Sequence, residues 1–91
     1  NPYGPVALAA AAHAAAAMQN FLILEHCRLR PWFDEVQTVK VPLEGGYIDV
    51  DELGRRPGLG VELDMELVNS RPFQPLAAGR FANADGSTNM Y

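Results

Sequence analysis

The chain has 91 residues, enough for one small domain at most, and 48% of them are hydrophobic. Seven Lys and Arg residues stand against eleven Asp and Glu residues, which gives a net charge of -4 without a basic stripe, so we expect no nucleic-acid partner. No apolar run is as long as a membrane span and the single Cys27 excludes an intrachain disulfide, so we expect a cytoplasmic protein without a membrane segment.

The first predicted element is an alanine-rich helix over residues 5–18, where nine of the fourteen residues are alanine. Pro5 suits the first helical position, because the N–H that proline lacks has no partner there. Asn20 is predicted to end the helix in the left-handed conformation. Alanine buries little surface, so the helix needs neighbours with larger side chains. Since the sequence opens on Asn1, we expect those neighbours in a missing N-terminal part of the same protein.

A short buried strand is predicted over residues 21–25, where a continuous apolar run ends in a carboxylate, Glu25. Strands that are apolar on both faces are typical of parallel sheets covered by helices. In (β/α) barrels the C-terminal ends of the strands carry the catalytic side chains. Glu25 is therefore the candidate catalytic residue, although its chemistry alone leaves open a plain surface carboxylate.

Beyond this strand the pattern changes to short alternating segments. Residues 36–41 and 47–50 alternate apolar and polar side chains, and Gly45-Gly46 lies between them, which predicts a β-hairpin or a pair of short strands. We expect a domain boundary between residues 28 and 36, so that residues 1–30 form one part and residues 31–91 a second.

The second part continues with a predicted loop over residues 54–60, because its glycines allow conformations that other residues avoid. Asp64 is predicted to cap a short helix through Leu67. After Asn69 the chain is rich in Pro, Gly, Ala and Asn, which predicts an extended tail that lies on another surface.

Metal sites are not favoured by the spacing of the polar residues. In an extended segment His26 would face away from Glu25 and Cys27, and no second ligand cluster follows, which argues against zinc. A calcium loop starting at Asp49 would need Glu at its twelfth position, where this chain has Gly60.

The remaining polar motifs favour structural roles. Gly58-Leu59-Gly60 lacks the Gly-Lys-Ser/Thr of a phosphate loop and is predicted to be a tight turn. Asp85-Gly86-Ser87 is also predicted to be a turn. His13 lies in the middle of the alanine-rich helix, so a packing or hydrogen-bonding role is favoured there.

Three stretches together resemble one enzyme family. They are Asn1-Pro2-Tyr3-Gly4-Pro5, Asn20-Phe21-Leu22-Ile23-Leu24-Glu25 and Pro57-Gly58-Leu59-Gly60-Val61-Glu62-Leu63-Asp64. Their order and spacing resemble the C-terminal end of the mandelate racemase branch of the enolase superfamily, most closely the acid-sugar dehydratases of the galactonate and mannonate kind. The likeness covers nearly the whole chain. The last residue of the chain is Tyr91, where members of the family usually have Trp.

The resemblance implies an α/β fold. The chain would be the C-terminal fragment of a modified (β/α)7β TIM barrel, with residues 5–18 as its last helix and residues 21–25 as its last strand. Residues 31–91 would then pack on the barrel and join an α+β capping domain.

The resemblance also implies a reaction. Such enzymes abstract the proton α to a carboxylate, stabilise the enediolate on Mg²⁺ and expel the β-hydroxyl as water. Glu25 matches the eighth-strand glutamate, which in its protonated form would donate a hydrogen bond to the substrate carboxylate as negative charge grows there. The magnesium ligands and the acid/base histidine of the family have no counterpart in this chain, so we expect the 91 residues alone to be inactive.

The partners implied are a small-molecule sugar acid, the missing N-terminal part of the same protein and further copies in a homo-oligomer. Two alternatives stay open. One is a racemase or epimerase of the same superfamily, because the same enediolate can be reprotonated on its opposite face. The other is a non-catalytic structural segment that packs against a partner chain.

Overall fold

A computed structural model describes residues 4–26, 31–74 and 85–87. In chain order the elements are α1 (Pro5–Ala17), α2 (Trp32–Glu35), β1 (Gln37–Val39), β2 (Leu43–Glu44), β3 (Tyr47–Ile48), α3 (Val50–Arg55), β4 (Glu62–Leu63) and α4 (Met65–Ser70). Cys27 and most of the predicted tail lie outside the described residues. None of the described helices is long and apolar enough to cross a membrane.

Helix α1 forms where the alanine-rich run predicts it, with Pro5 at its start. Its buried face recurs every three or four residues, which is the spacing of one side of a helix, and consists of Pro5, Leu8, Ala9, Ala12 and Ala15. The predicted left-handed ending at Asn20 is wrong, because no described non-glycine residue has a positive φ. The helix ends instead at Met18, whose backbone is extended and whose N–H donates to the Ala15 carbonyl at 3.1 Å.

Two antiparallel pairs of strands follow. The predicted turn at Gly45-Gly46 is confirmed, but the strand that precedes it in the hairpin is β2 and not residues 36–41: Leu43 pairs with Ile48 and Glu44 with Tyr47. Gly45 and Gly46 form its turn with φ values of 57° and 84°, a conformation that glycine adopts without steric cost. The strand predicted over residues 36–41 is shorter than expected. Of these residues only Gln37–Val39, which form β1, pair with another strand, and that strand is β4.

Helix α3 was not predicted, because residues 47–50 read as a strand and residues 54–60 as a loop. The structure has a helix over Val50–Arg55 instead. The Asp49 carboxylate accepts a hydrogen bond from the Glu52 N–H at 2.8 Å, which caps the helix and separates it from β3. The Asp49-x-x-Glu52 spacing is the sequence signal of such a cap. At α4 the predicted cap is confirmed, since Asp64 accepts from the Leu67 N–H at 2.9 Å.

The core joins the two predicted parts of the chain. Its buried members are Leu8, Ala9, Phe33 and Val41, and Leu24, Ile48 and Val61 pack against them. Leu8, Ala9 and Leu24 come from residues 1–30 and the others from residues 31–91. The division at residue 30 stays a prediction.

The predicted buried strand over residues 21–25 is wrong for the described structure. Residues 21–26 adopt neither helix nor strand, and the Leu22 and Ile23 side chains are 91% and 81% exposed. A parallel strand needs neighbouring strands to accept its hydrogen bonds and helices to cover its faces. Within the described residues no strand pairs with this segment, and both sheets are antiparallel.

Candidate functional site

Glu25 lies between two half-buried residues and is itself exposed. Leu24 packs against the core on one side of it. His26 on the other side is also half-buried. Alternating burial is what an extended segment produces, because successive side chains point to opposite sides. The Glu25 side chain therefore lies on the exposed side of this segment, opposite its two half-buried neighbours.

His26 is held by an aromatic contact. Its ring centroid lies 5.1 Å from that of Phe33, and the two ring planes are tilted by 51°. This separation lies within the range of favourable aromatic pairs. Phe33 is a member of the core, so the residue that follows Glu25 is connected directly to the packed interior.

The described residues do not form a metal centre. No group of three or more His, Cys, Asp and Glu side chains within ranges 4–26, 31–74 and 85–87 could hold a metal ion. His26 turns inward while Glu25 turns outward, which is the arrangement that argued against zinc at this position. These residues do not fit a magnesium site.

An apolar cleft of about 660 Å³ lies beside the Glu25 segment. Residues 21–24, the last turns of α1 and the β2–β3 hairpin line it. Its polar side chains are His26 and Tyr47. A sugar acid needs several hydrogen-bonding partners, so this cleft by itself is not a binding site for one.

Two sequence predictions for other polar motifs are confirmed. His13 Nε2 lies 3.3 Å from the Leu59 carbonyl oxygen, a hydrogen bond that connects α1 to the loop before β4. Gly58 and Gly60 form a tight turn with φ values of 62° and 74°.

The predicted turn at residues 85–87 is also confirmed. The Ser87 hydroxyl and the Ser87 N–H both donate to Asp85 Oδ1, at 2.7 and 2.9 Å. These hydrogen bonds, the hydroxyl first, stabilise the ionised form and lower the pKa of the Asp85 carboxyl. The turn is therefore favoured when Asp85 is ionised and loses this support as the pH falls through the lowered pKa.

A cluster around Arg56 escaped the sequence reasoning. The Arg56 guanidinium donates to the carbonyl oxygens of Lys40 at 2.6 Å and Gly60 at 2.9 Å, and it forms an ion pair with Glu52. The spacing of four residues between Glu52 and Arg56 is the signal that could have found the pair. The cluster holds the 57–60 turn against the end of β1, which is a structural role.

The sequence of this chain is similar to a known protein family and to a curated protein. The family model described as Enolase C-terminal domain-like matches residues 1–67. A D-galactonate dehydratase family member from Streptomyces bingchenggensis (strain BCW-1) is 36% identical over 83 residues, which are 91% of this chain and 20% of that protein. The chain thus spans about a fifth of that relative's length. No solved structure matches the chain significantly.

Proposed function

Because the chain belongs to the Enolase C-terminal domain-like family, we propose that it forms part of a Mg²⁺-dependent acid-sugar dehydratase. The observation that carries the proposal is the 36% identity to a D-galactonate dehydratase family member along 91% of this chain. The family has an α/β fold of the TIM-barrel type. In such folds the C-terminal ends of the strands carry the catalytic side chains, and we propose Glu25 as the carboxyl group that this chain contributes there.

The proposed reaction removes the proton α to the carboxylate of a sugar acid and expels the β-hydroxyl as water. The resulting enol then becomes a 2-keto-3-deoxy acid. Negative charge builds up on the substrate carboxylate as the proton leaves. A protonated Glu25 would donate a hydrogen bond to one of those oxygens, so it would stabilise the enediolate more than the substrate.

The magnesium ion that the family implies does not fit the residues described here. We therefore propose that its ligands and the acid/base groups lie elsewhere in the polypeptide. A cytoplasmic location and a homo-oligomeric state are part of the same proposal.

The test uses the complete gene product that contains this chain. Incubated with a set of sugar acids that includes D-galactonate, it should release a 2-keto-3-deoxy acid. Glu25→Ala should lower kcat by about 10² to 10³, the usual effect of losing one donor to a developing oxyanion, with little change in stability because Glu25 is exposed. Glu44→Ala makes the same change at an exposed hairpin carboxylate and should leave kcat unchanged.

Other outcomes would decide against the proposal. An epimerised sugar acid without loss of water would identify a racemase or epimerase. A complete gene product that binds no magnesium and turns over no sugar acid would favour a structural segment. Dehydration by the 91-residue chain alone would contradict our expectation that further residues are needed.

A further inference from the structure

We propose that Phe33 is a positioning residue for Glu25, acting through His26 and Leu24. The proposal rests on the proposed function, because it assigns a support to the carboxylate that the reaction would use. Phe33 is 4% exposed and carries no titratable group, so it cannot meet substrate itself. Its effect on catalysis would have to pass through a neighbour.

Glu25 lies between two residues that are anchored to the core. Leu24 packs on the core that contains Phe33, and the His26 ring lies against the Phe33 ring. Two inward anchors that are two residues apart restrict rotation of the chain about its own axis. The residue between them, Glu25, then leaves the surface in one direction.

Phe33 is itself held in place by a hydrogen bond from the Gln37 side chain. Gln37 is buried, with 6% of its surface exposed, and its Nε2 donates to the Phe33 carbonyl oxygen at 2.6 Å. The Oε1 of the same side chain accepts from the Val41 N–H at 3.0 Å. Buried hydrogen bonds of this kind are costly to break, so Gln37 fixes the short helix α2 to the segment after β1. Phe33 is thus firmly held where it contacts the His26 ring, and it is part of the core against which Leu24 packs.

The position of Glu25 matters for catalysis. A hydrogen-bond donor stabilises a developing oxyanion only when its distance and direction are correct, and a displacement of about 1 Å can cost about 10²-fold in rate. Loss of the Phe33 ring would loosen the His26 contact and allow Glu25 to move. The rate of the chemical step should then fall, while substrate binding through other groups should change little.

The experiment compares variants of the complete gene product. Phe33→Leu keeps a large apolar side chain in the core and removes the aromatic contact with His26. It should lower kcat roughly tenfold or more and leave KM nearly unchanged. In the double variant with Glu25→Ala it should cause no further loss, because the carboxyl group through which Phe33 acts is already absent.

Val36→Ala is the matched control. Val36 is buried next to α2 and does not belong to the cluster that supports Leu24, so its truncation tests general destabilisation. Its kcat should equal that of the unchanged protein at a temperature at which both are folded. An equal loss of kcat in Val36→Ala and Phe33→Leu would overturn the inference.

A second pair of variants tests the contact if Phe33→Leu does not fold. His26→Phe keeps an aromatic ring against Phe33 and should retain the kcat of the unchanged protein. His26→Ala removes the ring, and its kcat should fall about as far as that of Phe33→Leu. Equal kcat in these two variants would overturn the inference.

Failure of the inference can be distinguished from failure of the proposed function. A low kcat in Glu25→Ala together with an unchanged kcat in Phe33→Leu would overturn the inference and leave the proposed function standing. Multiplicative losses of kcat in the double variant would do the same, since they would show that Phe33 does not act through Glu25. A Glu25→Ala variant with the kcat of the unchanged protein would overturn both.

Discussion

Gly60 is the residue whose identity the structure requires most clearly. Its φ of 74° lies in the left-handed region, and a Cβ built on it would lie 2.7 Å from the Leu53 carbonyl oxygen. Leu53 is completely buried, so its backbone has little freedom to move away. We predict that Gly60→Ala lowers the free energy of unfolding by at least about 1–2 kcal/mol, the cost of the left-handed conformation alone.

Gly54 is the matched control for this prediction. It lies within α3, and a Cβ added there meets no atom within 4 Å. Gly54→Ala should raise the free energy of unfolding by about 0.5–1 kcal/mol, because alanine loses less backbone entropy than glycine in a helix. Urea unfolding of both variants measures the difference. Equal stabilities would show that the close contact at Gly60 is relieved elsewhere.

Helices α3 and α4 are each preceded by an aspartate that caps them. Asp49 and Asp64 accept hydrogen bonds from Glu52 and Leu67. Both helices have only six residues, so little internal hydrogen bonding stabilises them and the caps matter more. We predict that Asp49→Ala lowers the free energy of unfolding by about 1 kcal/mol.

Asp49→Asn provides the control at the same position, because asparagine caps helices about as well as aspartate. It should stay within a few tenths of a kcal/mol of the unchanged protein. Thermal or urea unfolding followed by circular dichroism reports both changes. A loss in Asp49→Asn as large as in Asp49→Ala would assign the effect to the negative charge near the helix start.

At the scale of the whole molecule, an apolar segment lies exposed beside an apolar cleft. Leu22 and Ile23 are largely exposed, and Phe21 is about half exposed. The same residues line the cleft of about 660 Å³. Exposed apolar segments without strand partners promote association between chains. We predict that the 91-residue chain self-associates in solution and that Ile23→Lys reduces this association.

Ala14→Lys is the control, because Ala14 is exposed on α1 and the change adds the same charge without removing a large apolar side chain. Sedimentation velocity over a range of concentrations should show less association for Ile23→Lys than for Ala14→Lys. If both variants behave alike, net charge controls the association and the apolar segment does not.

Local sequence signals determined several features by themselves. The helix start at Pro5, the Gly45-Gly46 turn and the Asp64 cap all depend on residues within a few positions of one another. The family resemblance also came from the sequence, and the family match confirms it. The role of Glu25 stays a prediction, because it depends on the surroundings of a reacting group.

Only the tertiary structure decided how distant segments meet. Strand β1 pairs with β4, and α3, which the local Asp49 cap begins, buries Leu53 completely against the rest of the chain. The segment at residues 21–26 shows the same limit. Its apolar run predicts burial, but burial requires neighbours, and the described residues cover only Leu24 and His26 in part. Composition shows that a segment needs a partner, whereas the three-dimensional arrangement decides whether it has one.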